Sequence, residues 1–201
     1  VVLFHDDNLQ RVLGDPRTLL QVAASELRAL MESRGGLITL EEALVRFPNT
    51  RFNIDVKADT AVQAVGPIVA SHAERVLLTA FSDARRRTAM AAIMRAGANQ
   101  RPAASPGTFT VVKLVIAVWL RARWLAARTL RGIDAVQIPE RQGRLRVLSP
   151  RLIAMAHELG IEVHVWTVNE SDDMRRLLDA GVDGIVTDRA DVALQVVAER
   201  K

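Results

Sequence analysis

The sequence predicts an α/β chain folded as a (β/α)8 barrel that lacks its first strand–helix unit. Three observations carry this. Short apolar, β-branched runs alternate with longer stretches of helical periodicity, which is how a parallel sheet is written. Seven such runs are present, one short of eight. No glycine-rich phosphate loop follows any of them, which argues against the doubly wound open sheet that shares the same alternation.

The expected strands are 1–4, 51–56, 75–80, 99–103, 135–138, 162–167 and 184–186. Val76-Leu77-Leu78 and Gly184-Ile185-Val186 are unbroken apolar runs, as strands covered on both faces should be. Helices are punctuated between them. Thr39 with Glu42 three residues on is a capping-box spacing that opens a helix ending at Pro48. Ser149-Pro150 opens another, with proline at its first position, running to Gly160. A third covers 170–180 and is closed by Gly181. The periodicity also predicts helices over 60–72, 83–96, 108–130 and 190–199, and a short one over 25–31. With no linker and no close internal repeat, residues 1–201 read as one domain.

Composition narrows the function. Cysteine is absent, so disulfides and thiolate metal sites are excluded. Half the chain is apolar at 49%, enough for a sizeable core, and the net charge is only +4. That balance is weak support for nucleic-acid binding, and the Arg85-Arg86-Arg87 run reads as the solvated face of a helix. A modest positive field also suits an anionic substrate. The most apolar run, 111–125, is interrupted by Lys113, Arg121 and Arg123, too short for a membrane span. No signal peptide is visible, and the compartment stays open, with the cytoplasm slightly favoured.

In a parallel barrel the active site lies where strands end, so polar residues just after apolar runs are the candidates. His5, Asp6 and Asp7 follow the first run. Asn53, Asp55 and Lys57 alternate with Ile54 and Val56, which places the three polar residues on one strand face. Phe81, Gln137, Trp166 and Asn169 follow or end later runs and, with Asp6, are candidate substrate contacts. Asp55 and Lys57 fit a structural ion pair as well as a functional one. Only three lysines stand against 24 arginines, however, so a lysine at a strand end suggests a need for a compact point charge. His5 beside Asp6 fits a general acid or base with its orienting carboxylate, and equally a packed, hydrogen-bonded histidine. His72 and His157 read as helix-end residues, His164 as core.

Together these segments resemble the glycerophosphodiester phosphodiesterase family, whose members are TIM barrels. The opening Val-Val-Leu-Phe-His5-Asp6 with Leu9 and Arg11, the Thr39-Leu40-Glu41-Glu42 helix start, the Asn53-Ile54-Asp55-Val56-Lys57 strand, and Val163-His164-Val165-Trp166-Thr167-Val168-Asn169 followed by Gly181-Val182-Asp183-Gly184-Ile185-Val186-Thr187-Asp188 are similar to its motifs in order and spacing. The resemblance implies a small glycerophosphodiester or lysophospholipid substrate, with hydrolysis of the glycerophosphodiester to glycerol 3-phosphate and an alcohol. It implies a divalent cation, Mg2+ or Ca2+, held by carboxylates against the phosphate, with two histidines as acid and base. On that pattern His5 is one catalytic histidine, Asp55, where the family has Glu, is a metal ligand, and Lys57 stabilises charge on the phosphate.

The resemblance also places elements before Val1 that the sequence does not show: a strand ending in His-Arg-Gly, a helix-start glutamate, and a strand with Glu-x-Asp. Roughly 40 to 50 residues are expected there, and residues 1–201 alone are expected to be weakly active or inactive. Alternatives are an inactive phosphoester- or partner-binding barrel and a lyase-type phospholipase on the same fold. Trp119 and Trp124, with arginines between them, fit an outer barrel helix or a weak membrane-surface contact.

Overall fold

Parallel strands need a long return, and here almost every strand is followed by a helix that supplies it. The computed structural model describes residues 1–200. In chain order α1 (Gln10–Leu13), α2 (Ala24–Met31) and α3 (Leu40–Arg46) precede β1 (Phe52–Asp55), α4 (Ala61–Ala70), β2 (Val76–Thr79), α5 (Asp83–Arg95) and β3 (Ala103–Ala104). Then come α6 (Thr108–Trp119), α7 (Arg123–Thr129), β4 (Ala135–Pro139) and a small antiparallel hairpin of β5 (Arg141–Gln142) and β6 (Leu145–Arg146). Last are α8 (Pro150–Glu158), β7 (Glu162–Trp166), α9 (Ser171–Asp179), β8 (Gly184–Ile185) and α10 (Ala190–Ala198).

The strands form two parallel sheets, β1-β2-β3 and β4-β7-β8. Asp134 sews them together. Its backbone N–H donates to the Ala104 carbonyl at 2.9 Å. Its carboxylate accepts from the Ala104 N–H at 2.8 Å and from Arg101 at 2.6 and 2.8 Å. The result is a barrel-like α/β fold whose strands all end at one rim.

Alternation decides what lies on each side. Ile54, Val56, Val76, Leu78, Val136, Ile138, Val163 and Val165 are buried under the helices. Asn53, Leu77, Gln137 and His164 face inward and line a cavity of about 640 Å3. The expected period-2 split of Asn53, Asp55 and Lys57 from Ile54 and Val56 is what the strand shows.

Local signals work as expected at several helix starts. Thr39 Oγ1 accepts from the Glu42 N–H at 3.2 Å while the Glu42 carboxylate accepts from the Thr39 N–H at 2.7 Å. Ser149 caps α8 with Pro150 at its first position, and Gly181 closes the α9 turn at φ 92°.

Three expectations are corrected. Residues 1–4 are not a barrel strand: Val2 makes an isolated antiparallel bridge with Thr39, and Leu3 N–H donates to the Ile38 carbonyl. Val1 and Leu3 are exposed, while Val2 and Phe4 pack on a satellite cluster around Leu9, Leu27 and Met31. The run is therefore covered on one side only, whereas a barrel strand is covered by helices outside and neighbours inside. Among the described residues the parallel strands number six, not the expected seven. Second, the single helix expected over 108–130 is two, broken where Arg121 takes φ 55°. Third, the strand expected over 99–103 is the two-residue β3, because Pro102 has no N–H for a ladder.

Candidate active site

The site begins with the loop after the N-terminal bridge. That loop is pinned by Leu9, fully buried, and by Leu9 N–H donating to the Arg17 carbonyl at 3.0 Å. Its side chains meet the ends of β1 and β2 in an open cleft of about 690 Å3, lined by His5, Asp6, Asp7, Asn8, Gln10, Arg11, Lys57, Phe81 and Arg85.

His5 Nδ1 lies 2.6 Å from Asp6 Oδ1. A carboxylate only accepts, so Nδ1 carries the proton and Nε2 is left without one. Asp6 is held in turn by Arg11, whose Nε donates to Oδ2 at 2.6 Å. The His5 and Arg11 hydrogen bonds keep the Asp6 carboxyl below its usual range. Asp6, expected to touch substrate, spends both oxygens orienting its neighbours. Lys57 Nζ donates to the His5 carbonyl at 2.8 Å, joining the β1 end to the loop and leaving two N–H donors for a ligand.

Asp55 stands between this rim and the interior. It is half-buried, and its Oδ1 has no hydrogen-bond partner. Burial pushes its carboxyl above the ordinary value, opposed by the charges of Lys57, Arg85 and His5. A lone carboxylate oxygen held unpaired beside cations is what a metal ligand or protonated acid looks like without its partner. Among the described residues no group of three His, Cys, Asp or Glu side chains is placed to hold a metal ion. Asp55 thus fits one ligand of such an ion and not a whole site.

Residues 1–192 match the protein family described as the glycerophosphoryl diester phosphodiesterase family. The chain belongs to that family. It is 36% identical over 202 residues to the "Probable glycerophosphodiester phosphodiesterase 2" of Mycobacterium tuberculosis, covering 99% of this chain and 75% of that protein. Among solved structures, a glycerophosphodiester phosphodiesterase from Parabacteroides distasonis aligns with a TM-score of 0.68 at 21% identity, over 100% of this chain and 79% of its own. An Oleispira antarctica phosphodiesterase in complex with the product sn-glycerol-3-phosphate aligns with a TM-score of 0.67 at 15% identity, over 98% and 79%. At these identities the structural likeness concerns the fold, which is that of a TIM-barrel-like α/β protein.

Not every expected contact of this family member faces the cleft. Phe81 does; it is exposed, and the Trp166 ring stands edge-on to it at 6.2 Å and 75°. Trp166 therefore acts on the rim through Phe81. Gln137 lies deeper, in the inner cavity, with Nε2 3.4 Å from His164 Nδ1. Asn169 is a loop clamp: Oδ1 accepts from the Asp188 N–H and Thr187 Oγ1, both at 3.0 Å, and Nδ2 donates to Asp188 at 3.3 Å. Its carboxamide is consumed in holding the last two rim loops together.

One cleft residue escaped the sequence reading. The Arg85-Arg86-Arg87 run reads as a solvated helix face, yet Arg85 lines the cleft in the first turn of α5, its Nε donating to Asp59 at 2.6 Å. The available signal was position: a first-turn residue directly after a strand end lies on the rim of a parallel barrel.

Proposed function

We propose that this chain adds water across the phosphodiester bond of a glycerophosphodiester, releasing glycerol 3-phosphate and an alcohol, or of a lysophospholipid, releasing the acylated glycerol 3-phosphate and the head-group alcohol. The observation that carries the reading is that His5 and Lys57, 52 residues apart, share one cleft through the Lys57–His5 bond, with Asp55 behind them, near enough for the charges of Lys57, Arg85 and His5 to act on its carboxyl.

Each side chain has a part. His5, with Nδ1 fixed by Asp6, presents Nε2 to take or give a proton at a phosphoester oxygen or an attacking water. The two uncommitted donors of Lys57 and the Arg85 guanidinium face the phosphoryl oxygens, where negative charge is concentrated. Phe81, backed by Trp166, forms the apolar wall for the glycerol or alcohol carbons. Asp55 would be one oxygen ligand of a divalent cation, Mg2+ or Ca2+, which when bound neutralises phosphoryl charge.

Release of sn-glycerol 3-phosphate from glycerophosphocholine, with Mg2+ or Ca2+ present, tests the reading, comparing the parent with His5→Asn. Any turnover the parent shows should fall by about 100-fold or more in the variant; turnover that survives the substitution would remove His5 from the mechanism. A phosphoester-binding barrel without turnover is the second reading, favoured by the absence of a three-ligand metal cluster among the described residues. Cation binding abolished by Asp55→Asn would support the enzyme over it.

A further inference from the structure

The α6–α7 segment carries a surface that the phosphodiesterase reading leaves unused. The inner face of α6 is spent on the core through Leu114, Ala117 and Val118, all buried. Its outer face repeats at helical spacing with Phe109, Val112, Ile116, Trp119 and Leu120, every one exposed. Trp119 is 76% exposed and Trp124, opening α7, is 71% exposed. A tryptophan left in water forgoes the largest apolar burial of any side chain, and two so exposed on either side of the α6–α7 turn mark a surface made to be covered.

The charge around this face indicates what covers it. No Asp or Glu occurs between Asp83 and Asp134, a stretch with ten arginines and lysines. Of these, Lys113, Arg121, Arg123, Arg128 and Arg131 belong to the α6–α7 segment and are exposed. Lys113 lies over the Phe109 ring at 4.4 Å, and Arg128 is one helical turn beyond Trp124 on the same face. Arg123 lies 3.4 Å from Glu158, while Lys113, Arg121, Arg128 and Arg131 leave the fringe predominantly cationic, and an apolar stripe with tryptophans and such a fringe complements an anionic lipid surface: rings enter the headgroup boundary while guanidinium groups meet lipid phosphates. Another protein would need carboxylates for that fringe; a bilayer supplies the apolar boundary and the anions together.

We propose that α6 and α7 dock this protein in the plane of an anionic bilayer. The docked face adjoins the cleft. Thr108 N–H at the start of α6 donates to the carbonyl of the cleft-lining Phe81 at 2.9 Å, and Asp83 at the start of α5 accepts from Gly107 and Thr110. A bilayer against Phe109 thus lies next to the rim on which Phe81 stands. No described helix is long and apolar enough to cross a membrane, so the contact is peripheral.

The test is co-sedimentation of the whole chain with vesicles of phosphatidylcholine alone or mixed equally with phosphatidylglycerol, followed in parallel by tryptophan emission. The parent should sediment with mixed vesicles and not neutral ones, with emission moving to shorter wavelength. Trp119→Ala with Trp124→Ala should weaken partitioning about tenfold. Arg121→Gln with Arg128→Gln, which leaves the apolar stripe intact and guards against misfolding of the first variant, should weaken it about thirtyfold; both should keep the parent's far-ultraviolet circular dichroism. Failure to sediment with mixed vesicles, parental binding by both variants, or a dimer in solution that the tryptophan substitutions dissociate while vesicles bind nothing would each overturn the proposal.

Discussion

Replacing Asp55 with Asn in metal-free protein should stabilise the fold at neutral pH. Its carboxyl is raised above the 3.8 of an unfolded chain, chiefly by burial and against the pull of Lys57, Arg85 and His5. A group whose folded pKa is raised contributes most stability when protonated, below 3.8, and that contribution is lost as pH climbs through the folded pKa. Above that folded pKa the carboxylate is ionised where folding disfavours it. Asn keeps a polar atom at the unpartnered position and removes only its charge; an unsatisfied buried polar group costs about 1–3 kcal/mol, and more when charged, so the gain is the difference between the two. Because Asp55 is only half-buried, with cations nearby, about 1 kcal/mol is the appropriate share, worth about 2–4 °C in Tm for a chain of this size. Thermal melts in EDTA, followed by circular dichroism from pH 7 downward, should show the variant melting higher at pH 7 and the gap closing as pH falls toward the unfolded value. Added Mg2+ or Ca2+ should raise the parent's Tm and leave the variant's unchanged. A variant that melts below its parent at pH 7 would refute the reasoning, since the carboxylate would then be making a net favourable contact.

Two further outcomes follow from the same geometry. Asp83→Ala removes the acceptor of the Gly107 and Thr110 backbone N–H groups that fix the start of α6; the loss should be about 2–3 kcal/mol, seen in thermal unfolding as a drop of about 4–12 °C. Lys57→Met deletes the donor to the His5 carbonyl and a phosphate-facing charge, so calorimetry should find sn-glycerol 3-phosphate bound about tenfold or more weakly.

Much of this was legible because local chemistry and global fold agree. Thr39 and Glu42 wrote their capping box into the sequence, Ser149-Pro150 its helix start, and the alternation around Asp55 the two faces of β1. Where legibility failed, a non-local partner decided the outcome. Val1-Val2-Leu3-Phe4 has the residues of a buried strand, but its register is set by Ile38 and Leu40, far along the chain. Arg121 gives no sign that it will adopt a left-handed turn, and the apolar spacing continues past it undisturbed. In the site, His5, Lys57 and Asp55 could be named from type and position. The diversion of Asn169 into a loop clamp, and the recruitment of Arg85 to the cleft, depend on which loops meet at the rim, and spacing along one strand does not encode that.

The central claim is that the cleft lined by His5 and Lys57, with Asp55 behind it, receives a phosphate. The most direct measurement is a titration with sn-glycerol 3-phosphate and Mg2+, monitored by NMR of the four histidine side chains. The account predicts that the His5 imidazole and Lys57 ammonium signals move together and saturably, while His72, His157 and His164 stay in place. Movement of His164, which faces the inner cavity, with His5 unmoved would contradict it.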